Sequence, residues 1–99
     1  MSTGTEIRID IGTLVTRSPE IDRDRPVITG TKTSVRRVVV LYKQGANAEE
    51  IARRMSHLSL AQVYAALAYY HANRDEVEVD LAEEDAEYWK LAALHSKKA

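Results

Sequence analysis

The chain has 99 residues, 14 basic and 15 acidic, for a formal net charge of -1, a size that suits one small domain rather than two independent cores. It contains no cysteine, which excludes a disulfide framework, a thiolate nucleophile and Cys-ligated zinc. The longest apolar run, Val38 to Tyr42, falls far short of the ~20 residues a membrane-spanning helix needs, and Met1 to Thr5 has no basic stretch leading into an apolar one, so a cytoplasmic protein without membrane contact is expected.

Leu, Ile and Val total 23 and Phe is absent, so the core should be small and aliphatic. Glu6 to Ile11 alternates β-branched and charged residues at period two, which predicts a strand with Ile7, Ile9 and Ile11 facing inward. Two more short extended pieces follow, Leu14 to Thr16 and Pro26 to Ile28, with Gly30 as the tight turn beyond them.

From Ser34 the period becomes helical. Val35, Val38, Val39 and Tyr42 form one stripe, Ser34 is placed to cap the free amides, and Gly45 sits where a left-handed C-terminal residue is wanted. Asn47 and Glu50 form a second capping pair ahead of Ile51, Ala52 and Met55, giving a helix of about two turns. Ser59 and Gln62 repeat the pattern and start a third helix, with a buried stripe of Leu60, Val63, Tyr64, Leu67 and His71. The opposite face carries Ala61, Gln62, Ala65, Ala66, Tyr69 and Asn73.

Beyond Asn73 the composition shifts. Residues 75–99 hold eight acidic and three basic residues, residues 1–74 seven acidic and eleven basic, so a half of net charge +4 precedes one of -5. Acidic residues come early and lysines late between Leu81 and Lys98, the order that suits a helix dipole. A fourth helix with Leu81, Tyr88, Trp89, Ala92 and Leu94 is expected to project from the domain or pack on a partner.

Three short helices with a tight second turn and a well-capped third outline a helix-turn-helix, although generic three-helix packing gives the same spacing. Arg36, Arg37 and Lys43, with Arg53 and Arg54, and Arg17, Arg23, Arg25 and Lys32 nearer the N-terminus, are candidates for phosphate contact. Ser59 and Gln62 open the third helix, where Gln62 could read adenine. Against this, that helix presents no Arg or Lys, and its alanines equally suit a protein-packing surface. His57, His71 and His95 lack ligand spacing, and Glu83-Glu84-Asp85 has no nucleophile or base beside it, so no metal, cofactor or catalytic residue is expected.

Several runs taken together are similar to a known family: Thr16-Arg17-Ser18-Pro19-Glu20, Arg25 to Val35, Ala48-Glu49-Glu50-Ile51-Ala52, and His57 to Tyr70. Over Leu14 to Asn73 the chain resembles the bacterial family termed domain of unknown function 433, departing from it at Asp22-Arg23-Asp24, where a Gly-rich turn is expected. The resemblance implies a mainly α fold: a three-helix, homeodomain-like helix-turn-helix domain with a small N-terminal β element. Residues 1–13 would then be an arm, 14–73 the domain and 74–99 an extra acidic C-terminal helix.

The resemblance also implies an antitoxin of VapB-like character, since members are often encoded beside a PIN-like ribonuclease. On that reading Arg36, Arg37, Arg53, Arg54, Ser59, Gln62 and Tyr69 face operator DNA. Leu81, Tyr88, Trp89 and Leu94 hold the ribonuclease, with Glu83 to Glu87 beside them. A palindromic operator calls for a homodimer, formed through Glu6 to Ile11. The rival is a protein-interaction module of the same fold that binds no DNA, favoured by acidic residues interrupting the basic surface.

Overall fold

The computed structural model describes residues 8–96. It is mainly helical: a two-stranded antiparallel sheet, β1 (Val15–Thr16) and β2 (Val27–Ile28), followed by α1 (Val35–Lys43), α2 (Ala48–Arg54), α3 (Leu60–Ala72) and α4 (Arg74–Ser96). No described helix is long and apolar enough to cross a membrane.

The sheet pairs Val15 with Ile28 and Thr16 with Val27, and the Thr29 amide donates to the Leu14 carbonyl at 2.9 Å. The ladder stops at Thr16 and Val27 because the next position on the second strand is Pro26, which lacks an amide to continue it. The expected first strand does not form in its described part, Arg8 to Ile11; Glu6 and Ile7 lie outside the described residues. The Asp10 carboxylate instead accepts from the Gly12 amide at 2.9 Å, and its carbonyl accepts from the Thr13 amide. That side-chain bond offers the backbone a 3₁₀ turn over Ile11–Thr13 in place of a ladder, and Ile9 and Ile11 are left exposed.

The caps form where the side chains allow them. Ser34 accepts from the Arg37 amide, and reciprocal capping boxes join Asn47 with Glu50 and Ser59 with Gln62. Gly45 has φ +105°, a conformation that only glycine adopts at little cost. Val35, Val38 and Val39 of α1, Ala48 and Ile51 of α2, Leu58 of the turn and Val63, Ala66, Leu67 and Tyr70 of α3 close one core with Ile28.

The stripe expected on α3 is rotated. Leu60 and Tyr64 are 39% and 56% exposed and His71 is exposed as well, while Ala66 and Tyr70 are buried beside Val63 and Leu67. Leu60-Ala-Gln-Val-Tyr-Ala-Ala-Leu-Ala-Tyr-Tyr is apolar nearly all round, so two faces were available on sequence grounds. The packing of α1, α2 and α4 selects the face that carries the small Ala66. His71 instead lies 3.2 Å from the Tyr42 hydroxyl at the surface.

The fourth helix spans Arg74–Ser96 and begins directly beyond α3. Asn73 (φ -134°, ψ 50°) is the single non-helical residue between α3 and α4. Its side-chain amide donates to the Tyr69 carbonyl, and its own carbonyl accepts from the Val77 amide, so one residue ends α3 and starts α4. Val77 is fully buried and Leu81 packs partly against the core, which for the valine is worth about 1.5–3 kcal/mol. The first half of α4 is therefore part of the domain, not a projecting arm.

Candidate interaction surfaces

The oppositely charged halves of the sequence meet inside the chain. Along α4, Glu76 pairs with Arg17, Asp80 lies 3.7 Å and Glu83 3.0 Å from Arg25, Glu84 lies 3.1 Å from Arg36, and Glu87 lies 3.0 Å from Arg23. Residues 76, 80, 83, 84 and 87 share one helical face. On the flank of α4, Lys43 donates to both Glu78 oxygens at 2.8 Å. Tyr69 and Tyr70, at the end of α3, donate to Glu76 and Glu78 at 2.6 Å, tying the first turn of α4 to the helix before it.

Two of these pairs are largely sheltered. Arg25 and Asp80 side chains are 12% and 13% exposed, and that burial raises the Asp80 pKa against the pull of Arg25. Arg36, 11% exposed, reaches both Glu84 and Asp22, the latter at 2.5 Å. Its buried Nε, although close to Glu84, has no aligned acceptor among the described residues. The remaining pairs are half-exposed, and such contacts individually contribute little.

Asp22 is held out by an unusual backbone. Asp22, Arg23 and Asp24 all have positive φ, at 49°, 58° and 64°, three consecutive left-handed residues where the family pattern leads one to expect glycine. The turn is fastened by the Arg17 Nε donating to the Asp24 carbonyl at 2.9 Å and by Arg36 on Asp22. Together with α4 it borders a hollow of about 810 Å³ lined by Arg17, Arg23, Arg25, Asp80, Glu83 and Glu87, among others.

The structure separates the residues expected at DNA into three groups. Arg37, Arg53 and Arg54 are exposed, and no ion pair joins them to another described residue. Arg36 faces Asp22 and Glu84, and Tyr69 is half-buried against Glu76, so neither is presented as expected. Burial and Glu76 both raise the Tyr69 pKa.

Ser59 and Gln62 are committed to each other. The Gln62 Oε1 accepts from the Ser59 amide at 2.7 Å and the Ser59 Oγ from the Gln62 amide at 3.1 Å. Bidentate adenine recognition needs that same Gln62 oxygen, so cap and base reading compete. The exposed face of α3 consists of Leu60, Ala61, Tyr64, Ala68 and His71, apolar and aromatic with no Arg or Lys.

Of the residues expected at a protein partner, Leu81 is partly buried on the core. Tyr88, Trp89 and Leu94 are 63%, 62% and 54% exposed, joined by Leu91 at 58%. They follow the last ion pair of α4, at Glu87, and the Tyr88 and Trp89 rings meet edge to face at 5.2 Å. The sequence assigns Glu83 to Glu87 to a partner rather than to the arginines they meet; the spacing of Glu76, Asp80, Glu83 and Glu87 by three and four residues was the available signal of one charged face. Among the described residues no group of three or more His, Asp or Glu side chains could hold a metal ion.

Residues 15–70 match the family model described as "Protein of unknown function (DUF433)". Among solved structures, the chain is similar to the crystal structure of a DUF433 member protein from Anabaena variabilis ATCC 29413. The match has a TM-score of 0.64 and 23% identity, over 71% of this chain and 69% of that one, a likeness of fold. No curated protein matches.

Proposed function

The chain belongs to the DUF433 family, and from that premise we propose that it is an antitoxin-type interaction protein that holds a partner protein through the distal half of α4. The observation that carries this reading is the cluster Tyr88, Trp89, Leu91 and Leu94, each more than half exposed on a helix whose preceding turns are anchored to the body. Large aromatic side chains fixed on a rigid helix lose little entropy on binding and make strong anchors. The acidic Glu83 to Glu87 stretch beside them favours a basic partner, and the family resemblance points to a PIN-like ribonuclease.

Operator binding by a homodimer, through a homeodomain-like arrangement of α1 to α3, is the second reading. It is supported by Arg37, Arg53 and Arg54, exposed without ion-pair partners among the described residues. The uncharged face of α3 and the capped Gln62 favour the protein-interaction reading over it.

The test is calorimetric titration of the full chain with a PIN-like ribonuclease from the same genome. Binding is expected, and replacing both Tyr88 and Trp89 by Ser should weaken it by at least about 100-fold, the scale of two hot-spot residues. Undiminished affinity in that variant, with native circular dichroism, refutes the assignment to distal α4.

A further inference from the structure

Four arginines from separate parts of the chain, Arg17 after β1, Arg23 and Arg25 around the left-handed turn and Arg36 on α1, converge under one row of α4 carboxylates. We infer that this arginine face is a binding surface for a nucleic-acid backbone that α4 covers in the free chain, with its carboxylates in the places of phosphates.

The shape of the cover supports this. Glu76, Asp80, Glu83 and Glu87 form a single line of negative charge about 16 Å long at helical rise, an extended polyanion rather than a compact one. Every cation in the row is arginine, whose planar fork engages carboxylate and phosphate oxygens with the same geometry. Among the described residues, the lysine paired with α4 is Lys43, on the flank with Glu78.

The cover is also lightly held at its far end. Arg23 and Glu87 side chains are 71% and 52% exposed, and Glu83 is 57% exposed, so water and salt replace these contacts at small cost. Among the described residues, the buried apolar anchorage of α4 is Val77, with Leu81 partly buried. Glu84 occupies the decisive position, because it borders a hollow lined by Lys32, Arg36 and Arg37 together with Glu20 and Asp22, and another lined by Arg37 and Arg54. Lifting α4 at Glu84 brings the covered Arg25 and Arg36 beside the exposed Arg37 and Arg54, while Asp22 and Asp24 stay paired with Arg36 and Arg17. This inference does not depend on which protein the distal aromatic cluster holds.

The experiment is fluorescence anisotropy of a labelled mixed-sequence DNA duplex at low salt, with the full chain. The variant Glu83→Gln/Glu84→Gln/Glu87→Gln should bind at least about tenfold more tightly than the parent, with a salt slope steeper by about 2, one unit each for Arg23 and Arg25, since Arg36 keeps Asp22. A variant of equal net charge, Glu49→Gln/Asp75→Asn/Asp85→Asn, removes carboxylates that make no ion pair among the described residues and should gain far less. Adding Arg23→Ala and Arg25→Ala, which remove the partners of Glu87 and Glu83, to the first variant should abolish most of its gain. The single substitution Glu84→Gln, expected to give a smaller gain in the same direction, serves if the triple variant loses helical content. Equal gains in the two charge-matched variants, or a gain that survives loss of Arg23 and Arg25, overturn the inference. A gain for polyglutamate without one for DNA also overturns it, in favour of an acidic protein ligand.

Discussion

Replacing Arg23 by glycine should leave the protein more stable than replacing it by alanine, the reverse of the order found in a helix. Arg23 has φ 58° and ψ 40°, between two residues that are also left-handed. Both substitutions lose the Arg23–Glu87 pair, whose side chains are 71% and 52% exposed, so that loss cancels in the comparison. Alanine keeps a Cβ that crowds the following carbonyl in this conformation, at about 1–2 kcal/mol. Glycine removes that cost but adds about 0.4–1 kcal/mol of unfolded-chain entropy.

The balance puts the glycine variant above the alanine variant by about 0.5–1 kcal/mol, a few degrees in Tm for a domain of this size. Urea unfolding followed by far-UV circular dichroism measures the difference directly. Ala68→Gly, at an exposed position inside α3, calibrates the opposite case and should lose about 1 kcal/mol. An alanine variant at Arg23 as stable as the glycine variant would refute the left-handed turn as the support that presents Asp22 to Arg36.

Two further outcomes follow from the cap of α3 and from the carboxylates of α4. Gln62→Ala should cost about 1 kcal/mol of stability through the lost capping box, as should Ser59→Ala. The double variant should cost clearly less than the sum of the two, and strict additivity in thermal unfolding would show that the two side chains do not act as a pair. Glu78, accepting first from Lys43 and then from Tyr70, is held below the ordinary carboxylate value. The folded chain therefore binds fewer protons there than the unfolded one. Its contribution is complete above the unfolded-chain value and lost as pH falls through the lower folded one. Buried Asp80 is raised and so acts in the opposite sense, opposing folding as pH rises past the ordinary aspartate value. Glu78→Gln should accordingly flatten the acid loss of stability measured by urea unfolding across pH, and an unaltered acid limb would contradict the Lys43–Glu78–Tyr70 assignment.

What the sequence by itself determined was local. Ser34, the Asn47–Glu50 pair and the Ser59–Gln62 pair mark three helix starts because a cap is a bond between groups three residues apart, and the chain cannot hide it. Val35, Val38 and Val39 were readable as core because Arg36, Arg37 and Lys43 mark the other side of α1, although Tyr42, expected on the same stripe, is exposed. The buried face of α3 was not, since an almost wholly apolar helix carries no preferred side until its neighbours choose one. The alternation ending at Ile11 likewise promised a strand that a single Asp10 side-chain bond replaces with a turn. The charge split at Asn73 was plain in the residues, yet its meaning was decided only in three dimensions. A sum of charges gives no distances, and only the fold shows that the acidic helix lies on the basic residues, leaving Arg37, Arg53 and Arg54 and the distal aromatic cluster exposed.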